Sequence, residues 1–180
     1  MPETAGDTDS LPGRYLNPHL LVPDLKEFLY SPEVLKWVTL LLGRPAAPYQ
    51  TITAHKGSQQ LEHSDTIHMT TYPLGYLCAS WTAFEDIHPD SGPLVYYPGS
   101  HRLPYYLSHE VGIEPGAFRR RGYEVYSERY EPFIQELVRN RALKPSYFHA
   151  HKGDVFLWHA NLIHGGSKRK NLAHSRRSVV

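Results

Sequence analysis

His63-Ser64-Asp65, with His164 about a hundred residues further on and Arg176 beyond it, is the set of residues in this chain best equipped for chemistry. Side chains two apart on a β-strand project from the same face, so His63 and Asp65 can offer an imidazole and a carboxylate to one metal ion. A second imidazole from a distant strand completes a two-histidine, one-carboxylate set. Such a set covers one face of an octahedral ion and leaves the other positions open, the donor arrangement of non-heme Fe(II) oxygenases. A buried arginine at position 176 can then hold the far carboxylate of an organic acid bound on the open side.

Each member of this set has a competitor. A bare His-x-Asp arises often by chance, and His68 lies five residues from His63, facing the other way if the strand continues. The distal histidine is His159 or His164, in Trp158-His159-Ala-Asn-Leu-Ile-His164-Gly-Gly. Their odd spacing puts them on opposite faces of a continuous strand. Gly165-Gly166 lets backbone and ligand come close, which favours His164. Arg176 and Arg177 are adjacent, so only one can face an interior.

These residues need strands to position them, and the pattern supplies strands from Tyr49 onward. Alternation over 50–56, an apolar run over 77–84, a short one over 94–97, Val155–Trp158 and Arg176–Val180 read as strands. Before them, 24–30 and 31–42 read as helices. Ser31-Pro32-Glu33 gives a cap and an initiating proline, Val34, Leu35, Val38, Leu41 and Leu42 form an apolar stripe, and Gly43 stops the second helix. Residues 1–22 form a loosely ordered lead-in. A helical excursion occupies 103–150, its best-defined helix running from about Glu128 to Leu143. Short strands with helices outside them imply a mainly β fold, a double-stranded β-helix or jelly roll.

Length and composition fit this reading. At 180 residues the chain is expected to be one domain over 1–180, with helices in 1–48 and a jelly-roll core in 49–180. A formal net charge of +1 gives no global attraction to nucleic acid or an anionic membrane. The single cysteine, Cys78, excludes an intrachain disulfide, and the polar N-terminus lacks the pattern of a signal peptide. No stretch is long and apolar enough to span a bilayer. A cytoplasmic protein is expected, and its oligomeric state is left open.

Over residues 49–180 the sequence resembles the phytanoyl-CoA dioxygenase family of Fe(II)- and 2-oxoglutarate-dependent oxygenases. The resemblance is carried, in order, by His63-Ser-Asp65, Trp81-Thr-Ala-Phe-Glu-Asp-Ile-His-Pro-Asp-Ser-Gly-Pro-Leu and Tyr97-Pro-Gly-Ser-His101-Arg. Lys152-Gly-Asp-Val-Phe-Leu-Trp-His, Ile163-His164-Gly-Gly and Ser175-Arg176-Arg177-Ser178 complete it. It implies His63, Asp65 and His164 as iron ligands, Arg176 as the partner of the distal carboxylate of 2-oxoglutarate, and Trp81 in the cosubstrate pocket. It also implies hydroxylation of a C–H bond of a small organic substrate by O2, releasing succinate and CO2.

Departures from the family pattern are specific. Gly166 stands where members often carry a serine beside the cosubstrate, so that hydroxyl must come from elsewhere, Ser167 being one source. The interval from His164 to Arg176 is one residue longer than in some members, which keeps Arg177 as an alternative anchor. The chain is shorter than the family's usual domain and ends inside the arginine strand, so it can be a truncated piece of a longer protein. Asp65 is retained where related halogenating enzymes have glycine or alanine. The alternative of another class is a non-catalytic, cupin-like metal- or ligand-binding module. A zinc hydrolase lacks any supporting His-Glu-x-x-His motif.

Overall fold

Prolines set where the first helices begin, because the first turn of a helix has no use for the N–H that proline lacks. In a computed structural model, which describes residues 13–180, β1 (Arg14–Leu16) is followed by α1 (Pro23–Leu29) and α2 (Pro32–Leu42). Gly43, at φ 64°, caps α2 in the left-handed region open to glycine. Val34, Leu35, Val38 and Leu42 are only half-buried and Leu41 is exposed. The apolar stripe faces a cavity of about 440 Å³ instead of a close-packed neighbour.

The remaining elements follow as β2 (Ile52–Ala54), β3 (Cys78–Ala83), β4 (Leu94–Tyr96), α3 (Ala117–Arg121), α4 (Glu124–Asn140), β5 (Ser146–Phe148), β6 (Val155–His159), β7 (His164–Gly166) and β8 (Ser178–Val179). One sheet runs β1-β2-β8-β3-β6 and the other β5-β4-β7, all pairs antiparallel. Trp81, Ala83, Trp158 and Leu162 are buried in a core that also takes Phe156 and Val180 from the first sheet and Tyr96 and Phe148 from the second. Two antiparallel sheets sharing one core, with helices outside, make the double-stranded β-helix, without closing into a barrel. A second core forms where Tyr130 and Ile134 of α4 pack on Ile67, Val95, Tyr97 and Ile163. Burying a side chain of this size contributes about 1.5–3 kcal/mol, which fixes the helical excursion against the strand region.

Several expected boundaries change. Of the lead-in over 1–22, residues 1–12 lie outside the described residues, while 14–16 pair with β2 as a sheet edge. Helix α4 starts four residues before the expected Glu128, and the last strand is limited to Ser178 and Val179. The strand expected through His63 shrinks to a single bridge to His164. Ser64 is extended, at φ −105° and ψ 145°, and Asp65–Ile67 then turn as a 3-10 helix.

Candidate metal centre

That one extended residue is enough for His63 and Asp65 to converge. The donor atoms of His63, Asp65 and His164 all lie within 4.8 Å of one another. Asp65 Oδ1 is 3.8 Å from His63 Nε2 and 3.6 Å from His164 Nε2. Each histidine is oriented in the same way: His63 Nδ1 is 2.8 Å from the Leu61 carbonyl and His164 Nδ1 is 2.9 Å from the Leu162 carbonyl. A ring nitrogen beside a carbonyl oxygen must carry the proton, so both Nε2 atoms are left as lone-pair donors to a metal. Both imidazoles are buried. Burial, reinforced by His164 and His68, holds His63 well below the ordinary histidine range and keeps it neutral.

The carboxylate is fixed from its other side. Trp158 Nε1 donates to Asp65 Oδ2 at 2.9 Å, and the same indole lies 4.8 Å from the His164 ring. The sequence reading missed Trp158. Its signal was available, because a buried tryptophan needs an acceptor for its N–H. Tyr130 was missed too. Its hydroxyl accepts the Ser64 N–H at 2.9 Å and lies 2.9 Å from Ser64 Oγ. Ser64 Oγ is 2.7 Å from Thr66 Oγ1, which donates to Asn161 Oδ1 at 3.3 Å. Asn161 in turn donates to the Leu103 carbonyl at 2.8 Å. This buried network ties α4 to the residue between two of the three donors. Tyr130→Phe strands a buried N–H, a loss of about 1–3 kcal/mol, and denaturant unfolding of the metal-free protein is expected to show it.

The competing histidines sit elsewhere. His159 ends β6, and a turn carries the chain to β7 in the other sheet, so the two histidines are separated by a change of sheet and not by strand alternation. His159 Nδ1 accepts the Asn161 N–H at 3.1 Å, and its Nε2 is 3.5 Å from the Tyr105 hydroxyl. His68 lies edge-on to His63 at 5.9 Å and to Tyr126 at 4.6 Å. Neither belongs to the converging set of donors.

A cavity of about 90 Å³ opens beside the three donors, walled in part by Trp81, Leu94, Gly166 and Arg176. Arg176 is 4% exposed and donates from Nη1 to the Gly92 carbonyl at 2.8 Å. Its Nε is buried without a partner among the described residues. Burial, with the cations of Arg14 and Arg169 nearby, pushes its guanidinium down to about 10. An arginine so placed calls for an anion. Arg177 points away: its backbone N–H donates to Glu85 Oε1 at 2.7 Å and its side chain is largely exposed, with Nε 3.9 Å from Glu85 Oε2. Arg14, hidden in the expected lead-in, reaches the same cavity from β1 and donates to Gln60 Oε1 at 3.1 Å.

With this geometry established, the relatives are informative. A sequence model of the family described as Phytanoyl-CoA dioxygenase (PhyH) matches residues 7–178. The chain belongs to this family. The peroxisomal phytanoyl-CoA dioxygenase of Bos taurus is 24% identical over 159 residues, covering 82% of this chain and 42% of that protein. The chain therefore spans less than half the length of this relative. EctD from S. alaskensis, solved with 2-oxoglutarate and 5-hydroxyectoine, superposes with a TM-score of 0.69 at 19% identity, covering 93% of this chain and 54% of that one. The epimerase SnoN, solved with Fe3+, alpha ketoglutarate and nogalamycin RO, gives 0.63 at 18% identity, covering 98% and 65%. These likenesses establish the fold. Among the described residues, no helix is long and apolar enough to cross a membrane.

Proposed function

We propose that this chain is an Fe(II)- and 2-oxoglutarate-dependent dioxygenase domain that hydroxylates a C–H bond of a small organic metabolite. The observation that carries the reading is the meeting, around one small cavity, of a His-Asp-His donor set and a buried arginine with an unpartnered Nε. His63, Asp65 and His164 fit a divalent ion through two Nε2 atoms and one carboxylate oxygen. When bound, iron and 2-oxoglutarate together supply the activation of O2 and the oxidation of the substrate, with succinate and CO2 released.

The chain's own residues bind, orient and shield. Arg176 takes the distal carboxylate of the cosubstrate through charge-assisted bonds, and Trp81, 2% exposed, walls the cavity against water. Trp158 holds the Asp65 carboxylate in one orientation. Asp65 also borders the 440 Å³ cavity under α1 and α2, whose size is that of a small-molecule site and whose walls are mostly apolar. We assign the small cavity to the cosubstrate and the large one to the substrate, with no partner other than small molecules and O2. EctD, solved with 2-oxoglutarate, and SnoN, solved with Fe3+ and alpha ketoglutarate, share this fold and support this reading.

Anaerobic addition of Fe(II) and 2-oxoglutarate together is expected to produce a visible charge-transfer band that neither gives alone. A folded protein with no such band would remove the oxygenase reading.

A further inference from the structure

Gly166 follows the distal donor by two residues, and there is no room for a side chain on it. A Cβ there would lie 2.5 Å from Ser58 Oγ and 2.8 Å from the Gln59 nitrogen. The space beside β7 is thus already filled by the Ser58 hydroxyl, which lines the same small cavity as Arg176 and the three metal donors. Ser178 also lines this cavity, from β8, whereas Ser167 is committed elsewhere: its Oγ donates to the Pro93 carbonyl at 2.8 Å. Ser58 Oγ accepts the Gln60 N–H at 3.3 Å, so its own hydrogen is still available to an acceptor in the cavity.

The loop that presents Ser58 is seated by glycines. A Cβ on Gly57 would meet the Ser91 carbonyl oxygen at 2.6 Å and that of Gly92 at 2.9 Å. The Gly92 oxygen is also the one that receives Arg176 Nη1 at 2.8 Å. The Gly57 backbone thus passes close to the carbonyl that receives the guanidinium, and Ser58 and Arg176 line the same small cavity.

We propose that Ser58 is a cosubstrate-positioning residue, whose hydroxyl donates to the carboxylate that Arg176 holds. The assignment rests on the 2-oxoglutarate reading above. A hydroxyl bound to a charged carboxylate that Arg176 alone does not saturate restricts the acid to one rotation, which a single guanidinium does less well.

The test compares two ligands on the Mn(II)-loaded protein by calorimetry: 2-oxoglutarate, and 2-oxobutyrate, which keeps the 2-oxo acid end but has no distal carboxylate. Ser58→Ala is expected to weaken 2-oxoglutarate about tenfold, the scale of one hydrogen bond to a charged group, and to leave 2-oxobutyrate and Mn(II) affinity unchanged. A general loosening of the loop would weaken both acids equally, and that outcome overturns the proposal. So does a Ser58→Ala protein that binds 2-oxoglutarate like the wild type. A wild type that binds Mn(II) but neither acid overturns the cosubstrate reading itself, and the role of Ser58 with it.

Discussion

Fe(II) titration of His164→Ala is expected to show no saturable binding, while His159→Ala binds the ion as the wild type does. Removing His164 takes away one of the three donors that lie within 4.8 Å of one another among the described residues, and two remaining donors do not hold a labile divalent ion against water. His159 has its two ring nitrogens directed at the Asn161 N–H and the Tyr105 hydroxyl. Its loss therefore disturbs the turn at Asn161 and the contact with Tyr105 without reaching the donor set. Melting temperatures of both metal-free variants separate lost ligation from lost folding, since the His164 ring also packs on Trp158. If His159→Ala is the variant that loses the ion, the assignment of the distal ligand is wrong.

The second large effect belongs to Arg176. Arg176→Ala is expected to weaken 2-oxoglutarate by at least about tenfold, because each bond to a charged group contributes roughly 1.5–3 kcal/mol and 1.4 kcal/mol is a factor of ten. Fe(II) affinity should hold, since a guanidinium has no lone pair to give a metal. Arg177→Ala is the control: its side chain lies outside, against Glu85, and its removal should change cosubstrate affinity little. Titrating both variants with metal and then with 2-oxoglutarate decides between them. Loss in Arg177→Ala alone would mean that the longer interval after His164 has shifted the anchor by one position.

Local signals marked the helices well. Pro32 and Gly43 each impose a backbone geometry that needs no knowledge of the rest of the chain, and both helix limits followed. Helix α4 begins four residues before the expected Glu128 and carries Pro132 in its interior. The three-residue strands β1, β5 and β7 carry no periodic signal, and His164-Gly-Gly has little intrinsic strand preference. They exist because partners across the sheet pair with them. The three proposed donors could be chosen from residue type and order. The reasoning by strand alternation covered only part of their geometry, since Asp65 is delivered by a turn and His159 is diverted by a change of sheet. Tyr130 and Ser58 were out of reach because their roles depend on contacts 66 and 108 positions away along the chain.

The bridge between His63 and His164 has a bearing on which ion fills the site. Each residue gives its N–H to the other's carbonyl at 2.9 Å, so the separation of the two imidazoles is built into the backbone before any ion arrives. A fixed bite does little to separate the divalent first-row ions from iron to zinc, because their radii are similar. Preference among divalent ions then falls to donor type alone, and nitrogen and oxygen donors favour nickel, copper and zinc over iron in the Irving–Williams order. On the iron reading, correct loading is a matter of supply: the compartment must present Fe(II) in excess of stronger competitors, because the protein's own framework does not reject them.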